Sequence, residues 1–361
     1  MSVHTLGKAA RNLRNRVQID VNRFLHREFV PSHARSLFVE TSSVCNLKCV
    51  FCAYDKKQSP RVSMADEFFF DCIEQAVGMG LVRFHLTPCT GDVFMDPSLY
   101  SKLEFLDAHP LVESYDFFTN FTIPSEEEIE RLVGFQKLSS MKISVYGHDQ
   151  DTFVAITRSK PKVYRRLLAN LEAILARVER VRFQLSVGLR SVKHIPWDGP
   201  SDLLALLRRF KEKGVRLGTA HVYNNWGGYI TQEDVRGLDI DVTDTTSTYK
   251  KGACTLLFTG VQVMATGIVN GCACRDVDAT LRIGDLHHAP LREILSTANP
   301  AYVQLIQEQQ AGNFRPVCQS CDFYKSIYRT TRVHRKRGDL KTLSEFLASP
   351  YETAATPPLL R

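Results

Sequence analysis

Two rhythms of apolar residues alternate along the chain. Short runs rich in Val, Ile, Leu and aromatics occupy 37–41 (LFVET), 82–88 (VRFHLTP), 114–120 (SYDFFTN), 140–146 (SMKISVY), 182–190 (RFQLSVGLR) and 215–223 (VRLGTAHVY). They read as six strands. Longer segments with helical spacing lie between them, at 66–80, 97–109, 125–135, 163–178 and 202–214. The segment 125–135 (SEEEIERLVGF) puts acidic residues in its first turn, as a helix start prefers. Six strands with a helix between each and the next predict a parallel sheet with helical crossovers, curled into a partial barrel. Ahead of it, Leu6, Leu13, Val17, Ile19, Val21 and Phe24 supply one apolar side of an amphipathic helical lead-in over 1–35.

The rhythm changes after the sixth strand. NNWGG (224–228) and DVTDTTSTYKKG (241–252) read as linker. Two strand-like runs follow at 256–264 and 267–271 and predict a hairpin, with helices at 291–299 and 301–312. The expected fold class is therefore α/β: a partial (β/α)6 barrel over 36–235, a smaller α+β domain over 250–330, and a basic tail over 331–361.

Composition narrows this picture only slightly. The chain has 361 residues, 44% apolar and 24% charged, with a net charge of +7. That suits a globular protein with a sizeable core. The positive excess is local, in Lys8, Arg11, Arg14, Arg16, Arg23, Arg27 and Arg35 at one end and Arg329, Arg332, Arg335, Lys336 and Arg337 at the other. Both clusters read as solvated helix faces or as a dock for an anionic partner. Nucleic acid is not expected as a partner on so mild a charge. No apolar run reaches membrane-spanning length, and the N-terminus has no apolar signal core. The expectation is a cytoplasmic protein with no membrane partner.

The cysteines change the picture most. Eight of the ten fall in two groups. Cys45, Cys49 and Cys52 form C-x3-C-x2-C directly after the first strand. A cubane iron–sulfur cluster normally takes four thiolates, so three leave one iron open for a ligand. A zinc site completed from elsewhere is the rival reading. In the second group, Cys254, Cys272, Cys274, Cys318 and Cys321, four thiolates suffice to close a zinc ribbon or a cluster.

The first group, with Phe51 in its aromatic slot, resembles the signature of the radical S-adenosylmethionine (SAM) superfamily. The resemblance implies a [4Fe–4S] cluster on Cys45, Cys49 and Cys52, with SAM chelating the fourth iron. Reductive cleavage of SAM would then give a 5′-deoxyadenosyl radical that takes hydrogen from a substrate. A reductant such as flavodoxin or ferredoxin is implied as partner. Thr90-Gly91-Asp92 stands where relatives carry Gly-Gly-Glu, which makes Asp92 a candidate acceptor for the SAM ammonium or merely a turn residue. Thr119-Asn120 ends the third strand, where relatives often have Thr-Asn-Gly. Ser144 and Arg190 fall where the family places groups near the SAM ribose and carboxylate. Tyr223 is a candidate flank for adenine or a core residue.

The second group resembles the twitch form of the SPASM extension: C-x12-G-x4-C from Cys254 through Gly267 to Cys272, then C-x2-C at Cys318 and Cys321. It implies an auxiliary [4Fe–4S] cluster on Cys254, Cys272, Cys318 and Cys321. Cys274 is left over as a packed thiol, as the ligand in place of Cys272, or as a hydrogen-atom donor. His221 is a candidate base or a structural residue. Cys72 reads as core, and Cys89 ends the second strand beside the expected SAM site with no role assigned to it. The resemblance to aminocyclitol dehydrogenases and aminoglycoside epimerases implies a small polar substrate that is oxidised or epimerised. Radical modification of a peptide, by thioether formation or another crosslink, is the alternative. A non-catalytic zinc or iron–sulfur binding protein is another.

Overall fold

Six strands with inward and outward faces form the frame. They are β1 (Ser36–Val39), β2 (Arg83–His85), β3 (Ser114–Thr119), β4 (Leu138–Tyr146), β5 (Gln184–Arg190) and β6 (Arg216–Ala220). Each pairs in parallel with the next, in chain order. The computed structural model describes residues 3–31, 35–87, 89–243, 248–329 and 340–348. Leu37, Val39, Phe84, Tyr115, Phe117, Ile143, Val145 and Val187 are buried under the helices, while Phe38, His85, Phe118 and Lys142 occupy the alternate positions. Period-two alternation thus assigns one face to the core and leaves the other for a site.

The crossovers are α2 (Asp66–Val77), α3 (Leu99–Ala108), α4 (Glu126–Gly134), α5 (Gln150–Thr157), α6 (Pro161–Ala176) and α7 (Asp202–Glu212), after a lead-in helix α1 (Val3–Phe24). Their starts carry local signals. Ser125 and Asp149 make capping boxes, and Pro161 opens α6 at a position where its missing N–H costs nothing. Sequence periodicity missed α5, whose eight residues QDTFVAIT contain too many β-branched side chains to read as helix.

After the barrel, β7 (Gln262–Val263) pairs in parallel with the outer edge of β1, and β8 (Ile268–Asn270) and β9 (Arg282–Asp285) follow antiparallel. One nine-stranded sheet results, in the order β9-β8-β7-β1-β2-β3-β4-β5-β6. The expected hairpin is β7 and β8, but its first strand is shorter than the run 256–264 suggested. Leu256–Thr259 is instead a single helical turn. It lets the adjacent Leu257 and Phe258 bury in the same core, where a strand would send them to opposite faces. The helix expected at 291–299 is one turn, Leu291–Ile294, followed by α8 (Pro300–Ala311).

The lead-in helix rests on the protein through Ile19 and Asn22, whose amide donates to the Tyr328 carbonyl at 2.8 Å. Its other apolar residues, Leu13, Val17, Val21 and Phe24, are exposed, contrary to a single buried stripe. The basic cluster Arg332, Arg335, Lys336 and Arg337 lies outside the described residues. No described helix is long and apolar enough to cross a membrane.

Candidate active site

The three-cysteine segment has little regular structure of its own, so other elements hold it. Asp92 N–H donates to the Val44 carbonyl at 2.8 Å. Tyr54 OH accepts from the Cys45 N–H at 3.0 Å. The end of α5 supplies two carbonyls, Thr157 to the Lys48 N–H and Ile156 to the Val50 N–H, at 3.1 and 2.9 Å. The end of β3 supplies Asn120, which donates to Asn46 Oδ1 at 3.0 Å and approaches Cys45 Sγ at 3.9 Å. Beyond it, Thr122 Oγ1 accepts from Asn46 at 2.8 Å. The loop is thus cast by the ends of two strands and a helix.

Gly91 is required here. Its φ is +115°, and a Cβ would lie 2.6 Å from the Ser42 carbonyl oxygen. Only a residue without a side chain lets this turn press against the segment leading to Cys45. The neighbouring Asp92 carboxylate is fully buried and takes four donor contacts: the Phe94 N–H, the Asn120 N–H, and Thr119 Oγ1 on both oxygens. Burial pushes its pKa up to about 6, against the pull of these bonds. Asp92 therefore clasps the ends of β2 and β3 together while lining the site.

A cavity of about 660 Å³ opens above the strand ends. Cys45, Cys49, Cys52, Phe51, Asp92, Ser144 and Arg190 all line it, together with Cys274 and Cys89. The structure thus brings most of the expected residues to one place. Phe51 packs against Tyr223 and Tyr146 at centroid distances of 4.4 and 5.1 Å, and Arg190 lies 6.0 Å from the Phe51 ring. Tyr223 is buried behind Phe51, with its OH on the Ser191 carbonyl at 3.2 Å, and does not line the cavity. His221 does not line it either. Strand β6 stops at Ala220, and the chain turns into Val222–Tyr223, which pairs with Asp241–Val242. His221 is left exposed on a separate cavity of about 600 Å³ with His148, His194 and Trp197.

The second cysteine group converges from three segments, at Cys254, at Cys272 and Cys274, and at Cys318 and Cys321. An N–H group reaches nearly every sulfur. Cys274 N–H donates to Cys272 Sγ at 3.4 Å, Gln309 Nε2 to Cys318 at 3.3 Å, and Phe323 N–H to Cys321 at 3.2 Å. The Arg275 guanidinium donates to Cys274 Sγ at 3.2 Å and pairs with Asp322 at 2.8 Å. Cys254, Cys272, Cys274, Cys318 and Cys321 feel one another's charge. Burial pushes every one of these thiols up, helped by neighbouring cysteines at Cys254, Cys272, Cys274 and Cys318 and by Asp322 at Cys321, with Cys254 at about 11 and Cys318 at about 12. The first group behaves the same way, with Cys52 at about 11. Packed thiols with donors aimed at sulfur are ready to ionise only if cations join them. Thiolates are the ligands that soft metal centres take, although among the described residues no group of three or more His, Cys, Asp or Glu side chains is placed to hold a metal ion. All ten cysteines are free.

Sequence reasoning missed Trp226, Arg275, Phe323 and Lys325, which line the cavity from the opposite side, and Lys142 on β4. The alternation of SMKISVY could have found Lys142, because it shares a face with Ser144. Nothing local marked the others.

A largely parallel sheet in this strand order, with the cysteine loop after its first strand, has the fold of the radical SAM enzymes. The structure is similar over most of the chain to three of them. It matches BtrN in complex with AdoMet and 2-DOIA with a TM-score of 0.53 at 13% identity, over 82% of this chain and 96% of BtrN. It matches Streptococcus suis SuiB bound to precursor peptide SuiA with a TM-score of 0.56 at 13% identity, over 87% of this chain and 76% of SuiB. Native anSMEcpe with bound AdoMet gives 0.51 at 15% identity, over 81% of this chain and 93% of that one. No protein-family model matches the sequence, and no curated protein does.

Proposed function

We propose that this chain is a radical SAM enzyme that dehydrogenates or epimerises a small polar, carbohydrate-like substrate. One observation carries the reading. The three loop cysteines and Cys274 of the second group open on the same cavity, so radical generation and the fate of the radical share one chamber. Cys45, Cys49 and Cys52 would hold the SAM-binding [4Fe–4S] cluster, and Cys254, Cys272, Cys318 and Cys321 the auxiliary one. Bound together and reduced by an external one-electron donor, the first cluster and SAM would supply a 5′-deoxyadenosyl radical able to take a hydrogen atom from a substrate carbon.

The chain's own groups do the rest. Arg190, beside Phe51 and next to Cys49 and Cys52, suits the SAM carboxylate, and Ser144 suits its ribose. Asn120 and Asp92 keep Cys45 in place. Oxidation of the substrate radical releases one electron and one proton; an auxiliary cluster held by the second cysteine group would accept the electron, and solvent would take the proton. Epimerisation instead returns a hydrogen atom, and Cys274 is the thiol of that group that reaches the cavity. A peptide substrate is the second reading, favoured by the likeness to SuiB bound to its precursor peptide.

The test is anaerobic reconstitution followed by SAM and a reductant. About eight irons per chain and release of 5′-deoxyadenosine are expected. In deuterated solvent, deuterium in the product marks epimerisation and its absence marks oxidation. Zinc without sulfide, and intact SAM, would refute the proposal in favour of a binding protein.

A further inference from the structure

The floor of the cavity carries charge that the cysteine loop does not account for. Phe38, Thr87, Phe118 and Lys142 line it from β1 to β4. Across the sheet, Phe118 pairs with Lys142, Lys142 with Ser186, and Ser186 with Arg216. These four residues form one row on the open face. Lys142 is half-buried, its ammonium 5.5 Å from the centroid of the Phe118 ring. Among the described residues it has no hydrogen-bond or ion-pair partner. Burial lowers its pKa first, and the nearby Arg190 and Arg216 lower it further. Among the described residues neither Lys142 nor the two arginines that act on it has an ion-pair partner.

Gly188 leaves room for this lysine. A Cβ on Gly188 of β5 would come within 3.0 Å of Lys142 Cε. The cavity's carboxylate, Asp92, is already taken by Thr119, Asn120 and Phe94. Asp116, one row below, pairs with His85 at 2.7 Å. Arg275 on the far wall is matched by Asp322. Arg190 belongs to the other end of the site. It lies four residues beyond the partner of Lys142 on β5, about 13 Å along the strand. Two further polar atoms of cavity-lining residues, Thr90 Oγ1 and Trp226 Nε1, are buried without a partner among the described residues. Half-buried charge and unpaired polar atoms both call for a ligand that supplies acceptors.

We infer that Lys142 seats an oxyanion, a phosphate or a carboxylate, carried by the substrate, whose ring or chain lies against Phe38 and Phe118. The substrate class is then an acidic carbohydrate or a comparable small acid. An aminocyclitol is disfavoured, because its ammonium groups would add like charge to Lys142, Arg190 and Arg216. This inference rests on the radical SAM reading only for the word substrate; the anion site itself stands on the cavity.

Binding tests it without turnover. The reconstituted full chain is titrated by calorimetry at low ionic strength with inorganic phosphate, glucose 6-phosphate, glucuronate, glucose and glucosamine. Phosphate and at least one of the two sugar acids should bind, and glucose and glucosamine should bind at least tenfold more weakly. Glucose 6-phosphate against glucuronate separates the two oxyanion sources. Lys142→Met should weaken the acid about tenfold or more, and Lys142→Arg should keep it within about threefold. No acid binding, equal binding to Lys142→Met, a loss seen only in Lys325→Met, or preference for glucosamine overturns the inference. The unaltered chain's release of 5′-deoxyadenosine is scored separately. Release without acid binding sinks the anion site alone, and acid binding without release sinks the radical reading alone.

Discussion

Replacing Gly91 with alanine should empty the SAM-cluster site while leaving the rest of the molecule standing. The turn holds φ at +115°, where an L side chain is strained by about 1–3 kcal/mol. The added Cβ would also sit 2.6 Å from Ser42 O, 2.9 Å from Ser43 C and 3.1 Å from Ser43 Cα, all backbone atoms that cannot swing aside. Overpacking of that kind costs about 1–3 kcal/mol more. The sum, about 2–6 kcal/mol, lies at or below the low end of the stability of most domains, about 5–15 kcal/mol. Relief comes most cheaply by moving the Ser42–Cys45 segment away from the turn. That breaks the 2.8 Å bond from Asp92 N–H to Val44, one residue before Cys45. Metal–thiolate bonds tolerate displacements of only about 0.2 Å. Iron should fall from about eight to about four per chain, sulfide with it, and SAM cleavage should vanish. Gly214→Ala is the control, since its φ is +77° and nothing lies within 4 Å of the new Cβ; it should keep its iron. Full iron and SAM cleavage in Gly91→Ala, or equal loss in Gly214→Ala, would refute the argument.

Two further outcomes are expected. Cys272→Ala should drop iron to about four per chain, whereas Cys274→Ala should keep about eight, because the Cys274 N–H is aimed at Cys272 Sγ while Cys274 Sγ itself faces the cavity; iron quantitation on both variants decides. Lys102→Met should destabilise the chain by about 3–5 kcal/mol in denaturant titration, since Lys102 Nζ is buried at 2.6 Å from the equally buried Asp96, and removing it strands that carboxylate; a loss under about 1 kcal/mol would contradict this.

Much of the frame was legible because strand and helix periods are local properties. Runs such as SMKISVY and SYDFFTN bury alternate residues under helices, and that alternation is written in the chain. The spacing of Cys45, Cys49 and Cys52 was legible for the same reason, since a loop of eight residues can present three thiols to one cluster. Short elements were not. Nothing in QDTFVAIT announces a helix, yet α5 lends the two carbonyls that pin the cysteine loop.

The sequence by itself therefore determined the parallel α/β frame and the two sets of thiols. Tertiary structure alone decided which groups meet. His221 and Arg190 each fall within a predicted strand, but β6 stops at Ala220 and turns His221 out to solvent, whereas β5 carries Arg190 to the cavity. Cys274, Arg275 and Lys325 reach that cavity because β7 docks on the edge of β1, a contact between residues more than two hundred positions apart. Periodicity records which face of an element is apolar; it holds no information about which distant edge that element will find, and the chemistry of this cavity is made of such edges.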